Sequence, residues 1–220
     1  MLNKIHKEIE IPVGSVKVSG ELIIPEHAWG IVVFSHGSGS SRHSSRNKFV
    51  AQKLQEAGFA TLLFDLLTVQ EDQDYSKRFD IALLSERLTS VSAWLEKEPA
   101  TRHLNLGYFG ASTGAAATLE AAAVLGNRVK AVVSRGGRPD LAAHVLPLVK
   151  SPVFLIVGGL DYEVIQLNEL AFSLLKAEKE LVIVKAATHL FEEPGKLEEV
   201  AQLALSWFQK HLKTTEPVPK

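Results

Sequence analysis

The sequence predicts an α/β fold built on a mostly parallel central sheet, with antiparallel strands at its N-terminal end and helices on both faces. Three observations carry this prediction. Runs such as Ile31-Val32-Val33-Phe34 lack the polar alternation of a half-exposed strand and need cover on both faces. They alternate with segments whose apolar residues recur at helical spacing, most clearly Ile81, Leu84, Leu88, Val91 and Leu95. Finally, Leu104 to Ala117 passes from an apolar run through Gly110-Ala111-Ser112-Thr113-Gly114 into alanines, which reads as strand, sharp turn and helix.

Taken in order, Ile5 to Ile11 and Val16 to Ile24 alternate apolar and polar residues around Pro12-Val13-Gly14-Ser15, the pattern of a hairpin with one exposed face. After a turn at Pro25-Glu26-His27 comes the buried Ile31 strand. Phe49, Val50, Lys53, Leu54 and Ala57 share one helical face, and Gly58 stops that helix before the Ala60 to Phe64 strand, which ends at Asp65. Thr68 to Lys77 reads as a polar loop. The Ile81 helix is closed by Pro99. Beyond the serine turn, Val129 to Val133 and Val153 to Val157 are strands, Val164 to Leu175 a helix and Leu181 to Val184 the last short strand. Lys196 to Leu212 is an amphipathic helix with Leu197, Val200, Leu203, Ala204 and Trp207 inward.

Composition narrows the partners. A chain of 220 residues that is 46% hydrophobic can bury one full core, so residues 1–213 are expected as a single domain and 214–220 as a frayed tail. The 24 basic and 25 acidic residues form no single-sign block, which argues against nucleic acid and a polybasic membrane patch and for a small-molecule partner. The absence of cysteine excludes disulfides, thiolate metal sites and a cysteine nucleophile. No apolar stretch approaches the roughly 18 residues that span a bilayer, and a soluble, cytoplasmic monomer or homodimer is expected.

The serine turn is the candidate site. Glycines on both sides of Ser112 allow a turn too tight for larger residues, which lifts the hydroxyl out of the fold along the positive end of the following helix. A serine hydroxyl needs a base, a group that orients the base, and donors for the oxyanion. His189, which follows the last strand, is the base; His6, His27, His103 and His211 sit in edge, turn or helix-end contexts, and His144 in a surface segment. Asp161 follows the Val153 strand and is the orienting acid, with Glu163 in reserve. The order Ser112, Asp161, His189 is that of a nucleophile-elbow fold. The amides of Thr113 and of Ser38, in His36-Gly37-Ser38-Gly39, are the expected oxyanion donors, and His36 fixes that loop or lines the substrate site.

These residues together resemble the α/β-hydrolase superfamily, and within it the small dienelactone-hydrolase-like group, over nearly the whole chain from Ile31 to Leu212. The loops Ser134 to Asp140 and Thr188 to Gly195 are similar to those of bacterial hydrolases sometimes joined to phosphoribosyltransferase domains. The resemblance implies the fold and ester or thioester hydrolysis. Dienelactone hydrolases proper carry a cysteine where this chain has Ser112, so their lactone substrate does not carry over.

Two rival readings are weaker. Gly37-Ser38-Gly39 after a strand, with Asp65 ending the next, suggests dinucleotide binding, but the third glycine of that fingerprint falls at Arg42. A catalytically silent binding protein would leave all three triad residue types without purpose. No phosphate loop and no H-E-x-x-H pair occurs, so neither cofactor nor metal is expected. Arg42, Arg135 and Arg138, with Arg46 nearby, are expected either as structural charges or as a cationic mouth that binds an anionic group on the substrate.

Overall fold

The computed structural model describes residues 4–213, so the expected tail at 214–220 lies outside the described residues. One eight-stranded sheet runs in the order β1-β2-β4-β3-β5-β6-β7-β8. Strands β1 (Ile5–Val13) and β2 (Val16–Ile24) form the expected hairpin, and β2 pairs antiparallel with β4 (Ala60–Phe64). From there β4, β3 (Gly30–Ser35), β5 (Asn105–Ala111), β6 (Val129–Arg135), β7 (Val153–Gly158) and β8 (Lys179–Val184) are parallel neighbours. No helix among the described residues is long and apolar enough to cross a membrane.

The continuous apolar runs are explained by two cores, one on each face. In β3, Ile31 and Val33 enter the core shared with α2 (Ile81–Leu95) and α3 (Thr113–Leu125). Val32 and Phe34 enter the core shared with α1 (Ser45–Glu56) and α5 (Lys196–Leu212). A strand buried on both sides has no place for polar alternation. Helix starts follow their capping residues: Ser44 accepts from the Asn47 amide to open α1, and Asp80 accepts from Leu83 to open α2. Ala115, Ala116, Ala117, Ala121 and Ala122 on α3 are fully buried, so a helix of small side chains seats its backbone close to the sheet.

The strand order positions the site. The chain leaves β3, forms β4 on one side, then crosses to form β5 on the other, so a switch point lies between β3 and β5 at their carboxyl ends. The loop after β3 and the serine turn after β5 open there together. Two details go beyond the sequence reading. The segment between β4 and α2 is not an open loop but holds short 3-10 turns at Glu71–Gln73 and Tyr75–Phe79. The last strand begins at Lys179 rather than Leu181, at a sheet edge where its partly exposed residues blur the apolar signal.

Candidate active site

Ser112 stands between β5 and α3 with φ 51° and ψ −124°, a backbone state that is strained for any residue with a Cβ. Its neighbours make that state possible. A Cβ on Gly110 would lie 2.5 Å from the Ala115 Cα, and one on Gly114 would lie 2.4 Å from the carbonyl oxygens of Ser35 and His36. The serine turn is therefore closed against both its own helix and the exit of β3. The loop after β6 holds it from the other side, through Arg138 N donating to the Ser112 carbonyl at 3.0 Å.

Asp161 ends the turn after β7 at the first position before α4 (Tyr162–Leu174), with its carboxylate making no bond to that helix. His189 Nδ1 bonds Asp161 Oδ2 at 2.6 Å. The two loops that carry the pair are tied by backbone bonds, Gly159 N to Val184 O at 2.8 Å and Leu160 N to Ala187 O at 2.9 Å. Gly158 is required for this approach, because a Cβ there would meet the carbonyls of Ala187 and Thr188 at 2.5 Å. Gly136, at φ 51°, passes beneath the histidine, and a Cβ on it would lie 3.5 Å from the ring. With Nδ1 engaged, Nε2 is the nitrogen left to meet a hydroxyl; no hydrogen bond joins Ser112 Oγ to His189 among the described residues. Such contacts are often long without substrate.

The loop after β3 is built around His36. Leu66 N donates to His36 Nε2 at 3.1 Å, so Nδ1 carries the proton and donates to the Gly37 carbonyl at 2.9 Å. Burial pushes its pKa below the ordinary histidine value, against the opposing bond to Gly37 and the charge of Asp65. Both ring nitrogens are thus used inside the protein, and the substrate-contact alternative for His36 gives way to the loop-fixing one. Ser38 is exposed, and its amide donates to Thr113 Oγ1 at 2.9 Å. The two residues expected to supply oxyanion amides are therefore brought together, with the Thr113 hydroxyl standing on one of those amides.

The arginines read either as structural charges or as a cationic mouth each have a partner within the protein. Arg42 is paired with Asp65 through its backbone amide and its guanidinium. Arg138 forks onto Asp140 at 2.9 and 2.8 Å. Arg135 is only 6% exposed and points between β6 and α1, where its Nη2 donates to Asn47 Oδ1 at 3.2 Å. Arg46 pairs with Glu192 at 2.9 Å. A cation that does lie against the oxyanion loop is Arg78, which the sequence reading missed. It binds Asp72 through Nε and Nη2, and its Nη1 would lie 3.9 Å from a Cβ on Gly39. Arg78, Asp72, Leu66, Leu67 and Leu84 line a recess with His36, Ser38 and Thr113. The only signal for it was a charged residue in a polar segment before a helix, which carries no position.

The dienelactone hydrolase family model matches residues 18–215. The chain belongs to the dienelactone hydrolase family. A dienelactone hydrolase structure from Anabaena variabilis is 54% identical with a TM-score of 0.93, covering 96% of this chain and 99% of its own. A Mycobacterium tuberculosis protein, Rv0571c, whose curated name carries the words phosphoribosyl transferase, is 55% identical over 206 residues. The match covers 94% of this chain but 46% of that protein, so the chain spans about half the length of this relative. Est1E from Butyrivibrio proteoclasticus, at 15% identity and TM-score 0.80, shares the fold. Within the dienelactone hydrolase family, the eight-stranded sheet with its N-terminal antiparallel strands is the α/β-hydrolase fold expected from the sequence.

Proposed function

We propose that this protein is a serine hydrolase that cleaves a small ester or thioester through an acyl-enzyme. The observation that carries the proposal is the 2.6 Å bond between His189 and Asp161 at the sheet end where Ser112 is held at φ 51°. Ser112 Oγ attacks the acyl carbon while His189 Nε2 takes its proton; Asp161 accepts the Nδ1–H and stabilises the imidazolium. The tetrahedral oxyanion is held by the Thr113 amide and by the Ser38 amide once it turns from Thr113 Oγ1. Collapse breaks the bond to the leaving alcohol or thiol, which receives the proton from His189. Water, activated by the same histidine, then releases the acid and restores Ser112.

The substrate is a small molecule, and Arg78 beside the oxyanion loop and Arg138 beyond the serine turn each keep Nη1 clear of their carboxylate partners to meet an anionic group on it. We place the reaction in the cytoplasm.

The test is turnover of a chromogenic short-chain ester, with labelling of Ser112 by a serine-directed phosphonate. Wild type is expected to turn over and be labelled, and Ser112→Ala to lose about 10³-fold or more without unfolding. Equal turnover by pure Ser112→Ala would sink the proposal. Nicotinamide titration serves the dinucleotide reading, for which the expected result is no binding: Gly37 lies against Ser112 rather than opening a phosphate cradle.

A further inference from the structure

Arg135 is a buried cation without a carboxylate. Among the described residues it joins no ion pair, and its Nε has no hydrogen-bond partner. Burial, with the charge of Arg46 nearby, pushes its pKa down to about 10. An uncompensated buried charge costs stability, and an apolar side chain of the same shape would remove that cost. Packing alone therefore does not account for an arginine here.

Its contacts reach three parts of the site. The Arg135 backbone lies in register with Ala111, just before the nucleophile, and with Ile156 on the strand that leads to Asp161. Its carbonyl accepts from the Ser112 amide at 3.4 Å. Its guanidinium bonds Asn47 in the first turn of α1 and stands 6.0 Å from the centre of the Phe191 ring. Phe191 follows His189 by two residues, is 1% exposed and holds φ 57°, a state costly for an aromatic side chain. The next residue, Glu192, is held from α1 by Arg46 at 2.9 Å. The histidine segment thus leaves β8 in a strained backbone and is gripped just beyond His189.

We propose that Arg135 is a positioning residue for the hydrolysis inferred above: through Phe191 and Asn47 it holds the His189 segment at a set distance from Ser112. It touches neither substrate nor reacting atoms. The guanidinium can do this where a methylene chain cannot, because its charge attracts the Phe191 ring 6.0 Å away while its Nη2 donates to the Asn47 side chain.

The experiment compares wild type with Arg135→Met, Arg135→Lys, Phe191→Leu and the Arg135→Met/Phe191→Leu double variant on a matched pair of neutral and anionic short-chain esters, together with melting temperature and amide exchange over residues 186–192. Arg135→Met should lower kcat by about 10- to 100-fold, the cost of a small misplacement of a catalytic group, with KM within about twofold of wild type. Its melting temperature should not fall, because an unpaired buried charge has gone. Arg135→Lys should recover part of kcat, Phe191→Leu should show a similar loss, and the double variant should add little. Exchange over 186–192 should quicken in Arg135→Met. Wild-type kcat in Arg135→Met, or a loss confined to KM for anionic esters, overturns the proposal; the latter outcome would make Arg135 a substrate contact. If Arg135→Met does not fold, unchanged kcat and exchange in Phe191→Leu overturn it equally. A wild type that cleaves no ester and takes no phosphonate label would instead remove the hydrolase reading, and the exchange comparison would still decide the role of Arg135.

Discussion

Gly37 lies so close to Ser112 that a Cβ on it would sit 2.9 Å from the serine Cβ and 3.6 Å from Oγ. The oxyanion loop and the nucleophile thus rest on each other with no side chain between them. Gly37→Ala must push one of the two away, and kcat/KM on a short-chain ester should fall about 100-fold. Gly39→Ala is the control: its φ of 69° makes it strained, but the nearest atom is 3.9 Å away, so it should cost stability more than activity. The reverse ranking would show that the loop does not depend on contact with Ser112.

Strain at the nucleophile predicts a trade between stability and activity. Ser112→Gly removes the Cβ from a positive-φ position, so unfolding in denaturant should become harder by about 1 kcal/mol while ester turnover vanishes. A glycine variant less stable than wild type would mean that the turn is not strained.

His189 and Asp161 should behave as one unit with Ser112. Replacing His189 by Ala should cost about as much in kcat as Ser112→Ala, about 10³-fold, and the double variant little more. Asp161→Asn should cost less than either, because the base remains but loses its orienting partner at 2.6 Å. Full activity in Asp161→Asn would move the role to Glu163.

The Thr113 hydroxyl accepts the Ser38 amide at 2.9 Å. If that amide turns to the oxyanion during reaction, Thr113→Val should stay within about threefold of wild-type kcat, because both backbone donors survive. A loss of 10²-fold or more, the usual effect of removing an oxyanion donor, would assign the hydroxyl itself to the oxyanion.

Burial of His36 predicts a pH effect on stability. Its folded-state pKa lies below the ordinary value of 6.5, so on acidification the unfolded chain takes up a proton that the folded chain resists. Stability should therefore fall as pH drops through about 6.5 and stop falling once the lowered folded value is passed. Wild type should lose more unfolding free energy between about pH 7 and pH 5 than His36→Gln, whose side chain can both donate and accept. His211, whose pKa is also lowered by burial, shares the sign but is common to both proteins. Equal slopes would remove His36 as the cause.

Local patterns carried most of the fold. A run such as Ile31 to Phe34 announces two-sided burial wherever it occurs, and glycines around Ser112 announce a turn before any neighbour is known. The arginines were different, because their roles depend on partners distant in the chain. Arg42 meets Asp65 across 23 residues, and Arg135 reaches Asn47 across 88. Which face Arg135 takes follows from the β6 register, and one residue of shift would send it to the opposite core. Arg78 reached the oxyanion loop only because Thr68 to Lys77 folds into short turns stabilised by Glu71 and Asp74.

The alanines of α3 set the distance between that helix and the sheet, and Ser112 stands at the helix's first turn. Their side chains act as a spacer whose thickness fixes how far the nucleophile stands above the strands. Enlarging one of them would move the reacting atom before it unfolded the protein. Variants recovered for altered rate or altered acyl preference should therefore include changes along this helix, far from any surface a substrate could touch.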